Sequence, residues 1–206
     1  DFVKDLIITS THDYLMFFTD LGKVYKIKAY EIPEASRTAK GTPVINFLNL
    51  DQGERVTAVI PVKEFADDNY LIMVTKNGTI KKTPMSQFDT NRKTGLIAIT
   101  LKDDDKLIAV SQSSGDESVY VITKKVKSIT FPEDDVRSMG RSAGGVRAIS
   151  LDDGDEVVSM ELDSTGEREL LVMTKKGFGK RTNLDEYRVQ TRGGKGVATY
   201  DKTKFA

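Results

Sequence analysis

Four times along this chain an apolar strand ends in threonine, a tight turn and a second strand follow, and a loop bearing arginine or lysine later closes on glycine. The threonines are Thr19, Thr75, Thr123 and Thr174, and the glycines are Gly41, Gly95, Gly145 and Gly196. Successive threonines are 56, 48 and 51 residues apart, and successive glycines 54, 50 and 51. Self-similarity at this period defines an array of blade-like units, each needing a neighbour to bury its faces. The repeats run approximately over residues 1–52, 53–103, 104–153 and 154–206 of a single body with no domain linker.

Each repeat reads as four short strands rich in Val, Ile, Phe, Tyr and Thr and bounded by Gly, Asn, Asp and Lys. They are expected at Leu6–Ser10, Tyr14–Phe18, Val24–Lys28 and Val44–Leu50, and then at Val56–Val62, Tyr70–Val74, Thr79–Thr83 and Leu96–Leu101. The third and fourth sets are Leu107–Val110, Val119–Ile122, Lys127–Phe131 and Val146–Leu151, and Val157–Met160, Leu170–Met173, Phe178–Thr182 and Val197–Tyr200. Helix-period segments are scarce, so the fold class is all-β. Asn77-Gly78 is a two-residue hairpin signal, with Gly22 and Gly177 at the matching place in two other repeats. The third repeat has Lys125-Val126 there, and a β-branched residue is poor at positive φ, so that turn is expected to be longer, strained or of another type.

Composition excludes several chemistries. There is no cysteine, hence no disulfide framework or thiolate metal site, and the single His12 lacks metal-ligating partners. Asp1-Phe2-Val3-Lys4-Asp5 does not read as a secretion signal and no apolar run has the length of a membrane span, so a cytoplasmic setting is expected. The acidic stretches Asn49–Glu54, Lys102–Lys106 and Asp152–Glu156 fall where chain reversals are expected and lack the spacing of a calcium loop, which makes them turns. Neither a Walker-type loop nor a nucleophile–base constellation occurs, so no catalytic site and no cofactor are expected in this chain.

With 31 Lys+Arg against 31 Asp+Glu, only the distribution of charge can point to a partner. Cations gather in Lys23–Lys28, Lys81-Lys82 and Lys180-Arg181, and in the Gly-closed loops. Those loops read Arg37-Thr38-Ala39-Lys40-Gly41, Asn91-Arg92-Lys93-Thr94-Gly95, Arg141-Ser142-Ala143-Gly144-Gly145 and Arg192-Gly193-Gly194-Lys195-Gly196. Small residues admit close backbone approach, free amides and hydroxyls donate to oxyanions, and Arg or Lys supplies charge, a combination suited to phosphate rather than to base edges. The alternative is that the glycines only shape a crossover while the cations stay in water.

Gln190-Thr191-Arg192-Gly193-Gly194-Lys195-Gly196 resembles the gyrase A box, matching six of its seven positions, with Thr191 in place of a basic residue. The segments Asp20-Leu21-Gly22-Lys23-Val24-Tyr25, Pro33-Glu34-Ala35-Ser36-Arg37, Val136-Arg137-Ser138-Met139-Gly140 and Gly179-Lys180-Arg181-Thr182 extend the likeness over essentially the whole chain. The chain thus resembles the C-terminal domain of the DNA gyrase A subunit, with the corresponding domain of topoisomerase IV (ParC-type) as the close relative. The resemblance implies a β-pinwheel of four-stranded blades that binds and wraps duplex DNA without sequence preference. It implies gyrase partners, the breakage-reunion domain of the gyrase A protein and the gyrase B protein, with ATP and Mg acting through those other regions, and a bacterial, nucleoid-associated setting. Such domains commonly have six blades with the principal box in the first, so four repeats with a box in the last read as a fragment. By resemblance the DNA-binding residues are Gln190, Arg192, Gly193, Gly194, Lys195 and Gly196, with Lys180, Arg181, Arg37, Lys40, Arg92, Lys93, Arg141 and Arg147 as a wider rim. A topoisomerase IV domain for substrate selection and a protein-interaction propeller remain the alternatives.

Overall fold

The computed structural model describes residues 3, 5–92 and 95–199. Lys93, placed above in the basic rim, and Tyr200, placed in the last strand, lie outside the described residues. The architecture is all-β, a pinwheel of successive antiparallel sheets, each centred on one hairpin. Hairpin β1 (Tyr14–Thr19)–β2 (Lys23–Lys28) is flanked by β3 (Val56–Val62) and β6 (Leu96–Ile97). Hairpin β4 (Tyr70–Thr75)–β5 (Thr79–Pro84) is flanked by β7 (Leu107–Ser113) and β10 (Val146–Arg147), and β8 (Ser118–Thr123)–β9 (Lys127–Pro132) by β11 (Val157–Asp163) and β14 (Val197–Ala198). The fourth sheet pairs β12 (Glu169–Met173) with β13 (Gly179–Asn183) alone among the described residues.

The four strands of one sequence repeat are therefore divided between two sheets, which was not expected from their order. The first and last strands of a repeat pair with the hairpin of the repeat before, so that each internal hairpin has both edges covered. This corrects two strand expectations in the first repeat. Leu6–Ser10 has no regular structure and Val44–Leu50 holds only a 3-10 turn, Val44–Asn46, because no earlier hairpin is described for them to pair with.

Central strands are apolar on both faces, as Phe17-Phe18, Leu71-Ile72-Met73-Val74 and Val119-Tyr120-Val121-Ile122 show, because each face meets a different neighbour. Leu71 and Met73 pack back on Met16, Phe18 and Val24, while Ile72, Val74 and Ile80 pack forward on Val119, Val121 and Ile129. Tyr120 and Ile122 continue the pattern onto Leu170 and Leu184.

The recurring threonines hold the hairpin turns. Thr79, Lys127 and Phe178 each donate a backbone N–H to the hydroxyl of Thr75, Thr123 and Thr174, at 3.1, 3.2 and 3.2 Å. The acidic turns are turns, as expected, but each also contributes one structural carboxylate. Thr19 Oγ1 donates to Glu54 at 2.5 Å and Thr123 Oγ1 to Asp155 at 2.7 Å, while the Asn77 N–H donates to Asp105 at 2.9 Å. Val126 resolves the third turn by strain: it sits at φ 66, in the left-handed region that Gly22, Gly78 and Gly177 occupy at 74, 85 and 86.

Candidate nucleic-acid interface

Three Gly-closed loops are laid side by side at the hairpin-turn end of the sheets. Each is first hung from the turn of the preceding hairpin. The Gly22 carbonyl accepts from Ala98 N–H at 2.8 Å, that of Gly78 from Ala148 N–H at 2.8 Å, and that of Val126 from Thr199 N–H at 3.0 Å. The carbonyl must face the loop for this, which explains why the turn keeps its left-handed residue even where that residue is valine.

Neighbouring loops are then tied to each other. Thr100 donates its N–H to Ala143 O at 3.2 Å and its hydroxyl to Ser142 O at 2.7 Å. Ser150, its counterpart, donates its N–H to Gly194 O and its hydroxyl to Gly193 O, both at 2.8 Å. The Gly193 N–H returns to Ala148 O at 2.7 Å. Residues 96–101, 141–150 and 190–199 thus form one continuous strip. Between its loops and the β4–β5 turn lies a cleft of about 700 Å³, into whose lining come Asn77, Thr79, Thr100, Lys102, Arg147 and Arg192. Asp105 lines it too, but its Oδ1 already accepts from the Asn77 and Lys106 N–H groups.

The box residues of the last repeat are brought together on this strip. Lys195 projects to solvent near Asp152, whose carboxyl is held below its usual range chiefly by Lys127 and less by Lys195. Gln190 is tied inward, its N–H to Thr130 O at 2.7 Å. Gly193 and Gly196 have φ of 83 and 68, whereas Gly194 is not in the left-handed region. Arg192 does not point freely outward, for Nε donates to Asp135 O at 2.8 Å and Nη1 to Arg147 O at 2.6 Å. Arg141 behaves alike, with Nη1 on Ile97 O at 2.6 Å. Arg147 and Arg92 are exposed and their side chains make no described ion pair or hydrogen bond. Arg37 and Lys40 are exposed in the first loop, outside the strip, and Lys180 and Arg181 are exposed on β13, Arg181 pairing with Glu169 at 3.1 Å.

Several cations of the second hairpin strands are not available to a partner. Lys23 is paired with Asp51, and Lys127 with Asp152 at 2.6 Å. Lys81 and Lys82 lie inside the protein. Lys82 pairs with the buried Glu133 at 2.8 Å. Lys81 Nζ donates to Ala98 O at 2.5 Å and to Arg141 O, so a buried ammonium fastens two loops from below. Burial, and secondarily the Arg141 charge, lowers its pKa to about 7. A base depressed in the folded state binds fewer protons than the unfolded chain between that value and its ordinary 10.5, so stability rises with pH across this window. Urea unfolding of this chain from pH 7 to 9.5 is expected to show the rise, and Lys81→Met to flatten it. Parallel curves for the two proteins would refute the assignment. The sequence gives no signal separating Lys81 from its exposed counterpart Lys180, since both follow a hairpin turn.

Strand-sharing hairpins with a cation-bearing strip of loops at one end define a propeller-type repeat domain. The DNA gyrase C-terminal domain family, described as a beta-propeller, matches residues 13–63, 69–114, 117–162 and 168–204, and this chain belongs to it. Over 97% of the chain it is 46% identical to the DNA gyrase A subunit of Staphylococcus epidermidis and 44% identical to that of Staphylococcus aureus. It spans only 22% and 23% of the length of those two relatives. Among solved structures, the C-terminal domain of DNA topoisomerase IV is similar at a TM-score of 0.85 and 30% identity, covering 91% of this chain and 58% of that one. The DNA gyrase A C-terminal domain gives 0.78 and 31%, covering 95% and 62%.

Proposed function

We propose that this domain binds duplex DNA through its phosphates and bends it along the loop strip, without sequence preference. The observation that carries the reading is the continuity of the strip: small residues and hydroxyls from three repeats surround one cleft, with Lys102, Arg147 and Lys195 as unburied cations beside it. Backbone neutralisation supplies affinity, and sequence enters only through the cost of curvature, on the order of 1 to 6 kcal/mol over tens of base pairs. As part of a gyrase A protein in a bacterial cell, the domain sets the sense of the DNA crossing that the rest of the enzyme, with ATP, turns into negative supercoils. Gyrase is preferred to topoisomerase IV because the relatives at 44–46% identity over 97% of the chain are gyrase A proteins.

Titration of labelled duplexes of unrelated sequence across a salt series tests this. With about four to six phosphates neutralised, log K against log salt is expected to slope at about −3.6 to −5.4, alike for all sequences. A flat slope would discard the reading in favour of a protein partner.

A further inference from the structure

The two arginines that the sequence marks for DNA are occupied by the protein itself, and in the same way. Arg141 and Arg192 each stand four residues before the closing glycine of their loop (141 to 145, 192 to 196). Each donates Nη1 at 2.6 Å to the carbonyl of the second residue of the preceding loop's short strand, Ile97 in β6 and Arg147 in β10. Ile97 and Arg147 are themselves equivalent, paired with Lys23 and Thr79 at the start of the preceding hairpin's second strand. Their sheets end there, so the carbonyls are sheet-edge acceptors that the next loop's guanidinium fills. Arg37 holds the same place before Gly41, but no strand precedes it, and it is exposed and unpaired.

We propose, resting on the DNA-binding reading above, that Arg141 and Arg192 are positioning residues that latch each loop to the one before, and that Lys102 and Arg147 are the phosphate ligands of the cleft. Lys102 comes from the acidic turn after the second loop and Arg147 from the third loop, so the cleft is composite and keeps its width only while the loops stay in register. Arg192 closes it by grasping the Arg147 main chain, leaving the Arg147 side chain free for an anion. A guanidinium already sharing Nε and Nη1 between two carbonyls has little geometry left for a bidentate phosphate contact.

The test compares Arg192→Ala, Arg192→Lys, Arg147→Ala and Lys102→Ala, since Arg147→Ala keeps the latched carbonyl. DNA titrations over a salt series are combined with amide hydrogen exchange at Ser150 and Gly193, whose N–H groups bridge the third and fourth loops. Arg147→Ala and Lys102→Ala are each expected to lower the slope magnitude by about 0.9 and affinity about eightfold at 0.1 M salt, leaving exchange unchanged. Both Arg192 variants are expected to speed exchange at those two amides about tenfold and weaken binding with the slope retained, because lysine restores charge but not the two-carbonyl grip. The proposal is overturned if Arg192→Ala lowers the slope with exchange unchanged, or if Arg192→Lys behaves as wild type. Absence of duplex binding by the unaltered chain would instead refute the DNA reading, while the exchange data would still decide the latch.

Discussion

Replacing Glu133 by alanine is expected to destabilise the domain by about 3–5 kcal/mol, the cost of leaving a buried charge without its partner. The Glu133 side chain has no exposed surface and that of Lys82 is 8% exposed. Oε1 faces Lys82 Nζ at 2.8 Å, and Oε2 accepts from Ser113 Oγ and from Glu117 N–H at 3.2 Å. The ammonium also lies 4.3 Å from the Tyr70 ring centroid and 3.3 Å from the Gly115 carbonyl. The pair joins β5 of the second sheet to the 3-10 turn Glu133–Asp135 of the third, so its loss loosens the packing that sets the spacing of their loops. For a domain of this size, thermal unfolding by circular dichroism is expected to fall by about 6–20 °C. Glu133→Leu combined with Lys82→Met should recover most of the loss, because an apolar pair removes both desolvation penalties together. A single-variant loss under about 1 kcal/mol would show that Lys82 reaches water, and would sink the account.

That ion pair marks where the sequence stops being readable. Lys81-Lys82 looks like a cationic stretch on a strand, and nothing within the strand tells that both side chains are enclosed, since burial is decided by neighbours from later repeats. The same holds for strand pairing. Val56–Val62 is recognisably a strand, but its partner is the hairpin before it rather than the hairpin after it, and this depends on which edge stands open. Local turn chemistry was legible: the threonines, Gly22, Gly78 and Gly177 all sit where the turn needs them, and Val126 bears the strain its β-branch implies. The loops were legible as a group, for their small residues do approach other backbone closely. The role of Arg192 was not, because a resemblance to a DNA-wrapping motif gives no information on which carbonyl occupies the guanidinium. Lys102 was passed over for a related reason, as it lies in a turn dominated by carboxylates.

Of the closing glycines, Gly145 and Gly196 are expected to tolerate least, and Gly145→Ala or Gly196→Ala should each cost about 3 kcal/mol or more. Both sit at positive φ, 86 and 68, where a side chain is strained regardless of space. Space is also lacking: a Cβ would come within 2.6 Å of the Ile80 carbonyl oxygen at Gly145, and within 2.6 Å of that of Ser128 at Gly196. Those oxygens belong to the hairpins on which β10 and β14 rest, so relief requires the short strand, and the loop it anchors, to move away. Stability and DNA affinity should therefore fall together, which separates these variants from the phosphate-ligand changes that lower affinity alone. Two glycines serve as internal controls. A Cβ at Gly41 meets nothing within 4 Å, so Gly41→Ala should stay within about 0.5 kcal/mol of wild type. Gly194 has no positive φ and its Cβ would lie 3.2 Å from Thr191 O, a contact that a small shift relieves, so its alanine variant should cost about 1 kcal/mol or less. Chemical denaturation of the four variants should thus rank Gly145 and Gly196 well apart from Gly194 and Gly41. If Gly196→Ala unfolded with the wild-type midpoint, the last glycine of the box would owe its place to the DNA and not to the close approach of two backbones.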